Sequence, residues 1–306
     1  MIDRRTFLAA AAGAALLPAA AARTDSRSTR IRTKDATEIH VKQWNSSGRP
    51  VILTHAWPLS ADIWDHQAVA LSNAGYRVIS YDRRGFGRSG RPSSGYDFDT
   101  FADDLAAVIR DLELSDATLV GYSMGGGEVV RYFSRHGGRG IVKAGFVGAA
   151  ASRLLKSTDN PAGIDGAVFE GMKAGVAKDR AAFLADLLRD VFFDINRPAT
   201  NPVTPQMVQH WRDVALQASL AATIGCVDAF SATDFRPELS SVKVPTLVLH
   251  GTADIPVPIA LARTTAQGIP GSRMIEYDGL YGGVSHGLVI TEKDRVTRDL
   301  MSFLAS

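Results

Sequence analysis

Leu119-Val120-Gly121-Tyr122-Ser123-Met124-Gly125-Gly126-Gly127-Glu128-Val129-Val130-Arg131-Tyr132 decides how the rest of the chain is read. Thr118-Leu119-Val120 is a short apolar run that predicts a strand, and the residues after Ser123 predict a helix. Between them lies the pattern G-x-S-x-G, a serine on a strand-to-helix turn. Such a turn is sharp enough that the residues two before and two after the serine nearly touch, so Gly121 and Gly125 must lack side chains. It lifts the hydroxyl clear of the sheet and leaves backbone N–H groups at the helix start unpaired beside it. The Met124 N–H is one of these, placed to stabilise an oxyanion. Ser123 is therefore the candidate nucleophile.

Working outward, Val51-Ile52-Leu53-Thr54-His55, Arg77-Val78-Ile79-Ser80-Tyr81, Gly145-Phe146-Val147 and Thr246-Leu247-Val248-Leu249 are runs that fit parallel interior strands, buried on both faces. Glu38-Ile39-His40-Val41-Lys42 alternates with period 2, as the edge strand of an antiparallel pair would. Phe101, Leu105, Val108, Ile109 and Leu112 recur at helical spacing, with Asp99 or Thr100 available as the N-cap. The fold class is α/β, with a mostly parallel central sheet and helices on both faces. From about 151 to 236 glycines and prolines separate amphipathic pieces (181–191 and 206–220), with no strand signal. That insertion is expected to form a helical lid over the strand ends.

A serine nucleophile needs a base and an acid, which follow it in the order acid, then base. Of seven histidines, His40, His66, His136 and His210 fall on strand or helical patterns, His55 lies at the end of a strand, and His250 ends another directly before Gly251. Only His286 lies in a late loop, between a final strand over residues 273–277 and a C-terminal helix. It is the candidate base. Asp254, four residues past the strand that ends at His250, is on the right rim of the sheet to be the acid. Asp278 and Asp234 are rivals, the first on the same rim and the second at the exit of the lid.

Three segments carry a resemblance: His55-Ala56-Trp57-Pro58-Leu59-Ser60, Tyr81-Asp82-Arg83-Arg84-Gly85-Phe86-Gly87-Arg88-Ser89 and the Gly-Tyr-Ser-Met-Gly-Gly-Gly-Glu turn at 121–128. Together they resemble the α/β-hydrolase superfamily and, within it, the cofactor-free haloperoxidase, arylesterase and perhydrolase group of bacteria. The likeness runs from about residue 35 to 303. It implies an α/β-hydrolase fold, Asp254 as the acid within His250-Gly251-Thr252-Ala253-Asp254-Ile255-Pro256-Val257-Pro258, and the Trp57 N–H as the second oxyanion donor. It also implies that Asp82 and Arg84 form a buried polar brace. Trp57, Pro58 and Ile255 are expected to wall the substrate pocket. The implied chemistry is hydrolysis of small carboxylic esters, with hydrogen peroxide able to replace water, a use that Pro58 after the oxyanion tryptophan favours. No metal or organic cofactor is called for. The alternative from another class is a non-catalytic small-ligand receptor on the same scaffold. Ala56 and Thr252 depart from the glycine and aspartate common in the group, and the approach to His286 through 279–285 is longer.

The N-terminus reads Met1-Ile2-Asp3-Arg4-Arg5-Thr6-Phe7-Leu8, then an apolar stretch of about 11 residues and a small-residue exit at 19–22, the three parts of a secretory signal. Its paired arginines resemble the bacterial twin-arginine signal, implying the Tat machinery as a partner and a periplasmic or secreted protein. The stretch is too short to anchor in a membrane, which takes about 20 residues. Cleavage after Ala22 leaves residues 23–306 as the hydrolase domain. Across all 306 residues, 45% are apolar and 22% charged, and a formal charge of +2 gives no electrostatic case for nucleic acid. A single cysteine, Cys226, excludes an intramolecular disulfide scaffold and a cysteine-based zinc fold.

Overall fold

The computed structural model describes residues 26–195, 203–279 and 283–306. The segment read as an export signal (1–22) and part of the long approach to His286 (280–282) lie outside the described residues. In chain order the strands are β1 (Ser26–Arg32), β2 (Glu38–Trp44), β3 (Pro50–Thr54), β4 (Arg77–Tyr81), β5 (Ala117–Tyr122), β6 (Ile141–Val147), β7 (Thr246–Gly251) and β8 (Arg273–Tyr277). They form one sheet in the order β1-β2-β4-β3-β5-β6-β7-β8. All pairs from β4 to β8 are parallel, and β2 is antiparallel to both β4 and β1.

The interior strands are apolar at successive positions because both faces are covered. In β3, Val51 and Leu53 join the core on one face and Ile52 the core on the other. The helices are α1 (Asp65–Asn73), α2 (Phe98–Asp111), α3 (Met124–His136), α4 (Gly166–Asp186), α5 (Pro205–Ala215), α6 (Leu220–Ala232), α7 (Ile259–Gly268), α8 (Leu288–Thr291) and α9 (Lys293–Ala305). Phe101, Leu105 and Val108 of α2, Val129 and Phe133 of α3 and Leu261 of α7 pack with Ile52. Leu71 of α1 and Leu300, Phe303 and Leu304 of α9 pack on the opposite face.

Three local expectations are corrected. The alternating stretch at 38–42 is not the edge: β1 pairs along its whole outer side, from Ser26 opposite Trp44 to Arg32 opposite Glu38. The sequence of β1, Ser-Arg-Ser-Thr-Arg-Ile-Arg, has one apolar residue and therefore no hydrophobic period to read. The cap of α2 is Asp97, not Asp99 or Thr100. Its carboxylate accepts the Thr100 N–H at 2.9 Å, and the helix starts a turn early because Phe98 is buried edge-on against Phe101 and Phe235. The helical piece expected at 206–220 is two helices. α5 ends at Ala215 and α6 begins after Ser219, whose hydroxyl accepts the Ala222 N–H at 3.1 Å.

Between β6 and β7 the chain leaves the sheet. α4 bends at Asp179 (φ −153°, ψ 91°), whose carboxylate caps the second half by accepting the Ala182 N–H at 3.0 Å. A π-helical turn, Leu187–Phe192, follows directly. α5 and α6 meet at a 97° bend, and among the described residues no single helix is long and apolar enough to cross a membrane.

The brace expected at Asp82 and Arg84 is present. Asp82, wholly buried, accepts the Ala61 N–H at 2.9 Å and the Arg88 N–H at 2.8 Å. Arg84 is bidentate to Asp104 at 2.6 and 2.7 Å and also reaches Asp35 at 2.7 Å. These contacts tie the turn after β4 to α2 and to the β1–β2 connection.

Candidate active site

Ser123 sits between β5 and α3 with φ 55° and ψ −121°, a backbone that a residue with a side chain rarely adopts. The neighbours hold it there. The Ser123 carbonyl accepts the N–H groups of Gly126 and Ala150, both at 2.9 Å. A Cβ on Gly121 would lie 2.4 Å from the Gly125 carbonyl oxygen, and one on Gly125 would lie 2.1 Å from Thr54 Oγ1. A larger residue at Gly121 would force the turn open, and one at Gly125 would push the helix start away from β3.

The Ser123 hydroxyl donates to His286 Nε2 at 2.9 Å, and His286 Nδ1 donates to Asp254 Oδ2 at 2.7 Å. Asp254 Oδ1 accepts the Val257 N–H at 2.8 Å, which fixes the carboxylate from its other side. All three side chains are buried, with Ser123 at the floor of a cavity. The rivals lie elsewhere. Asp278 is exposed and accepts the Thr252 hydroxyl at 3.3 Å, and Asp234 is bound by Arg236 at 2.6 Å. Thr252, a departure noted in the sequence, thus holds the rival acid.

Several contacts on the imidazole were not legible in the sequence. Tyr122 stacks on it with centroids 5.6 Å apart and donates its hydroxyl to the His286 carbonyl at 2.8 Å. Phe192, the last residue of the π-helical turn, stands edge-on to it at 4.9 Å, and its carbonyl accepts the Gly287 N–H at 2.8 Å. His250 Nε2 donates to the Val257 carbonyl at 2.8 Å and lies 3.4 Å from Asp254 Oδ2. Burial pushes the His250 pKa down, so the ring is neutral beside the carboxylate.

Met124 is the first residue of α3, so its N–H has no acceptor within the helix and carries the positive end of the helix dipole. Among the described residues the Trp57 N–H has no backbone hydrogen-bond acceptor. Its direction is set one residue earlier, by two donors to the Ala56 carbonyl: His55 Nδ1 at 2.9 Å and the Leu59 N–H at 3.0 Å. Carbonyl and N–H of one trans peptide point opposite ways, so pinning Ala56 O aims the Trp57 N–H. His55 Nε2 accepts the Arg83 N–H at 2.9 Å, which uses both ring nitrogens of a neutral imidazole. The Trp57–Pro58 peptide bond is cis.

Desolvation, with Arg83 nearby, pushes the His55 pKa down to about 3. The unfolded chain protonates this histidine near its ordinary value while the folded chain does not. His55 therefore contributes stability that is present at pH 7 and is lost as pH falls from about 6.5 toward about 3. In His55→Asn the slope of unfolding free energy against pH, measured in urea between pH 5 and 6, is expected to fall by about 1.2 kcal/mol per pH unit. An unchanged slope would mean that His55 is protonated in the fold.

Above Ser123 lies a cavity of about 540 Å³. Trp57 and Ile255, two of the residues expected to wall the pocket, line it, together with Met124 and with Phe169, Met172 and Phe230 from the segment between β6 and β7. The Trp57 ring is edge-on to Phe230 at 5.5 Å and its Nε1 donates to the Thr223 carbonyl at 3.1 Å. Pro58, expected beside them, is buried but does not line the cavity, where Trp57 supplies the wall.

A family model described as alpha/beta hydrolase fold matches residues 49–281. The chain belongs to the alpha/beta hydrolase family. The hydrolase is 43% identical over 273 residues to a non-heme chloroperoxidase of Kitasatospora aureofaciens, covering 89% of this chain and 98% of that one. Over 278 residues it is 36% identical to a bifunctional esterase/perhydrolase of Acinetobacter calcoaceticus, covering 90% and 99%. Among solved structures, a bromoperoxidase from Bacillus anthracis superposes with a TM-score of 0.84 at 41% identity, covering 92% of the hydrolase and all of that chain. The hydrolase is an enzyme whose homologues are non-heme haloperoxidases and esterases.

Proposed function

We propose that the enzyme cleaves small carboxylic esters through an acyl-enzyme on Ser123. The observation that carries this reading is the unbroken hydrogen-bonded chain from Ser123 through His286 to Asp254 at the floor of an apolar cavity. His286 Nε2 takes the Ser123 proton as Oγ attacks the ester carbonyl carbon. Asp254 stabilises the imidazolium that forms. The N–H groups of Trp57 and Met124 hold the developing oxyanion, donors of this kind contributing about 3 kcal/mol each. The tetrahedral species collapses as His286 returns the proton to the leaving alkoxide, which departs as the alcohol. Water, deprotonated by His286, then attacks the acyl carbon and frees the acid and Ser123.

The chloroperoxidase and esterase/perhydrolase relatives support a second outcome for the same intermediate. Hydrogen peroxide attacks in place of water and releases a peracid with Ser123 regenerated. Free peracid then transfers its terminal OH to a halide as the O–O bond breaks, leaving hypohalous acid and the carboxylate. Export of the folded enzyme by residues 1–22, giving a periplasmic or secreted location, belongs to the same proposal and is supported by the sequence pattern alone.

A fluorophosphonate probe is expected to label Ser123, located by peptide mass, and to abolish p-nitrophenyl acetate turnover in step with labelling. With peroxide present, peracetic acid is expected alongside acetate. A folded protein whose Ser123 stays unmodified would overturn the ester reading. Ester turnover with no peracid at high peroxide would remove the second activity alone.

A further inference from the structure

We infer that the cavity is built for an ester with an uncharged, medium-length acyl group of about six to eight carbons, and that Gly171 on α4 is the residue that leaves room for it. This rests on the ester-hydrolase reading above. Three observations carry it.

The first is size against lining. At about 540 Å³ the cavity offers room for roughly 18 volumes the size of a water molecule. An acetyl group fills two of them. Apart from Ser123, His286 and two lid carboxylates, Asp186 and Asp190, the walls are apolar, and among the described residues no lysine or arginine lines them. Water left in such a space has few partners, so a longer apolar chain gains by displacing it. A negatively charged tail meets no cation on the walls.

The second is which side is open. The leaving alcohol must face His286, which returns its proton, so the acyl group lies on the side of Trp57. There Trp57, Phe230 and Phe169 make a continuous aromatic wall, with Phe169 and Phe230 6.2 Å apart edge-on. Phe169 belongs to α4, one turn from Met172.

The third is Gly171 itself. Val168, Gly171 and Met172 lie at helical spacing i, i+3 and i+4, and all three line the cavity. A Cβ built on Gly171 has no atom within 4 Å. Glycine inside a helix costs stability relative to alanine, and no close packing at this position requires it. Gly171 is exposed, so what its missing side chain leaves open is the mouth of the cavity beside Phe169 and Met172. Val168 and Ile255, 51% and 48% exposed, give the cavity an apolar mouth.

The test is the p-nitrophenyl ester series from acetate to octanoate. In the natural chain kcat/KM is expected to rise about fourfold per added methylene up to hexanoate or octanoate. In Gly171→Leu the octanoate-to-acetate ratio is expected to fall at least tenfold, with Gly171→Ala between the two and both variants melting no lower than the natural chain. A ratio that Gly171→Leu leaves unchanged, or a natural chain that prefers acetate, overturns this inference while leaving the ester reading intact. Fluorophosphonate labelling of Ser123 tells the two apart, because its failure would sink the ester reading itself.

Discussion

An Asp254→Asn variant is expected to fold normally and to lose about four orders of magnitude in kcat. The cause is the partner on the far side of the carboxylate. Val257 N–H donates to Asp254 Oδ1 at 2.8 Å, so an asparagine keeps its oxygen there and turns its amide nitrogen toward His286 Nδ1. The flipped amide would set two donors against each other at that distance, at greater cost than moving a proton between imidazole nitrogens. His286 then accepts at Nδ1 and carries its proton on Nε2, facing the Ser123 hydroxyl with a donor where a base is required. The loss corresponds to about 5.5 kcal/mol of barrier, beyond what a small shift in packing supplies. Steady-state turnover of a p-nitrophenyl ester, with a melting curve for each protein, reads the result. A loss below tenfold in a folded variant would remove Asp254 from the chemistry and return Asp278 or Asp234 to consideration.

What could be read in advance follows from how local each signal is. The Ser123 turn is largely specified within five residues: Gly121 is demanded by a 2.4 Å contact across the bend to the Gly125 carbonyl, while Gly125 is demanded by a 2.1 Å contact to Thr54 Oγ1 on the neighbouring strand β3. The apolar interior strands declare themselves because both of their faces are covered. The acid is a different matter: two aspartates stood on the right rim of the sheet and a third at the exit of the insertion, and only the folded loops separate them, by giving Asp278 to Thr252 and Asp234 to Arg236. β1 left no hydrophobic trace because a polar strand gains its place through backbone pairing. The contacts of Phe192 on His286 and the open space beside Gly171 depend on how α4 and the π-helical turn pack in three dimensions, which helical spacing within one segment does not encode. Asp97 as the α2 cap was two or three residues from the expected positions because the burial of Phe98 sets where the helix begins.

The same serine motif ends in Glu128, and replacing that residue is expected to cost 3–5 kcal/mol of stability without touching the reacting groups. Glu128 is wholly buried, and its Oε2 accepts Arg83 Nε at 3.0 Å and Nη2 at 2.6 Å. The Tyr81 hydroxyl donates to Oε1. Arg83 is 1% exposed, its guanidinium lies over the Phe101 ring, and among the described residues Glu128 is the anion paired with it. Glu128→Ala therefore strands a buried cation, and the melting temperature is expected to fall by about 10 °C. The triple change Glu128→Leu, Arg83→Met and Tyr81→Phe removes every polar member together and is expected to melt close to the natural chain, because desolvating the ions had offset most of their attraction. Activity separates the two roles of Arg83. Its Nη2 also donates to the His55 carbonyl at 3.1 Å, whereas the contact that holds the His55 ring is the backbone N–H of residue 83, which the triple variant keeps. Turnover in that variant should thus stay within tenfold. A single Glu128→Ala that melted within 2 °C of the natural chain would mean that water reaches Arg83, and that the pair contributes little to holding β4 against α3.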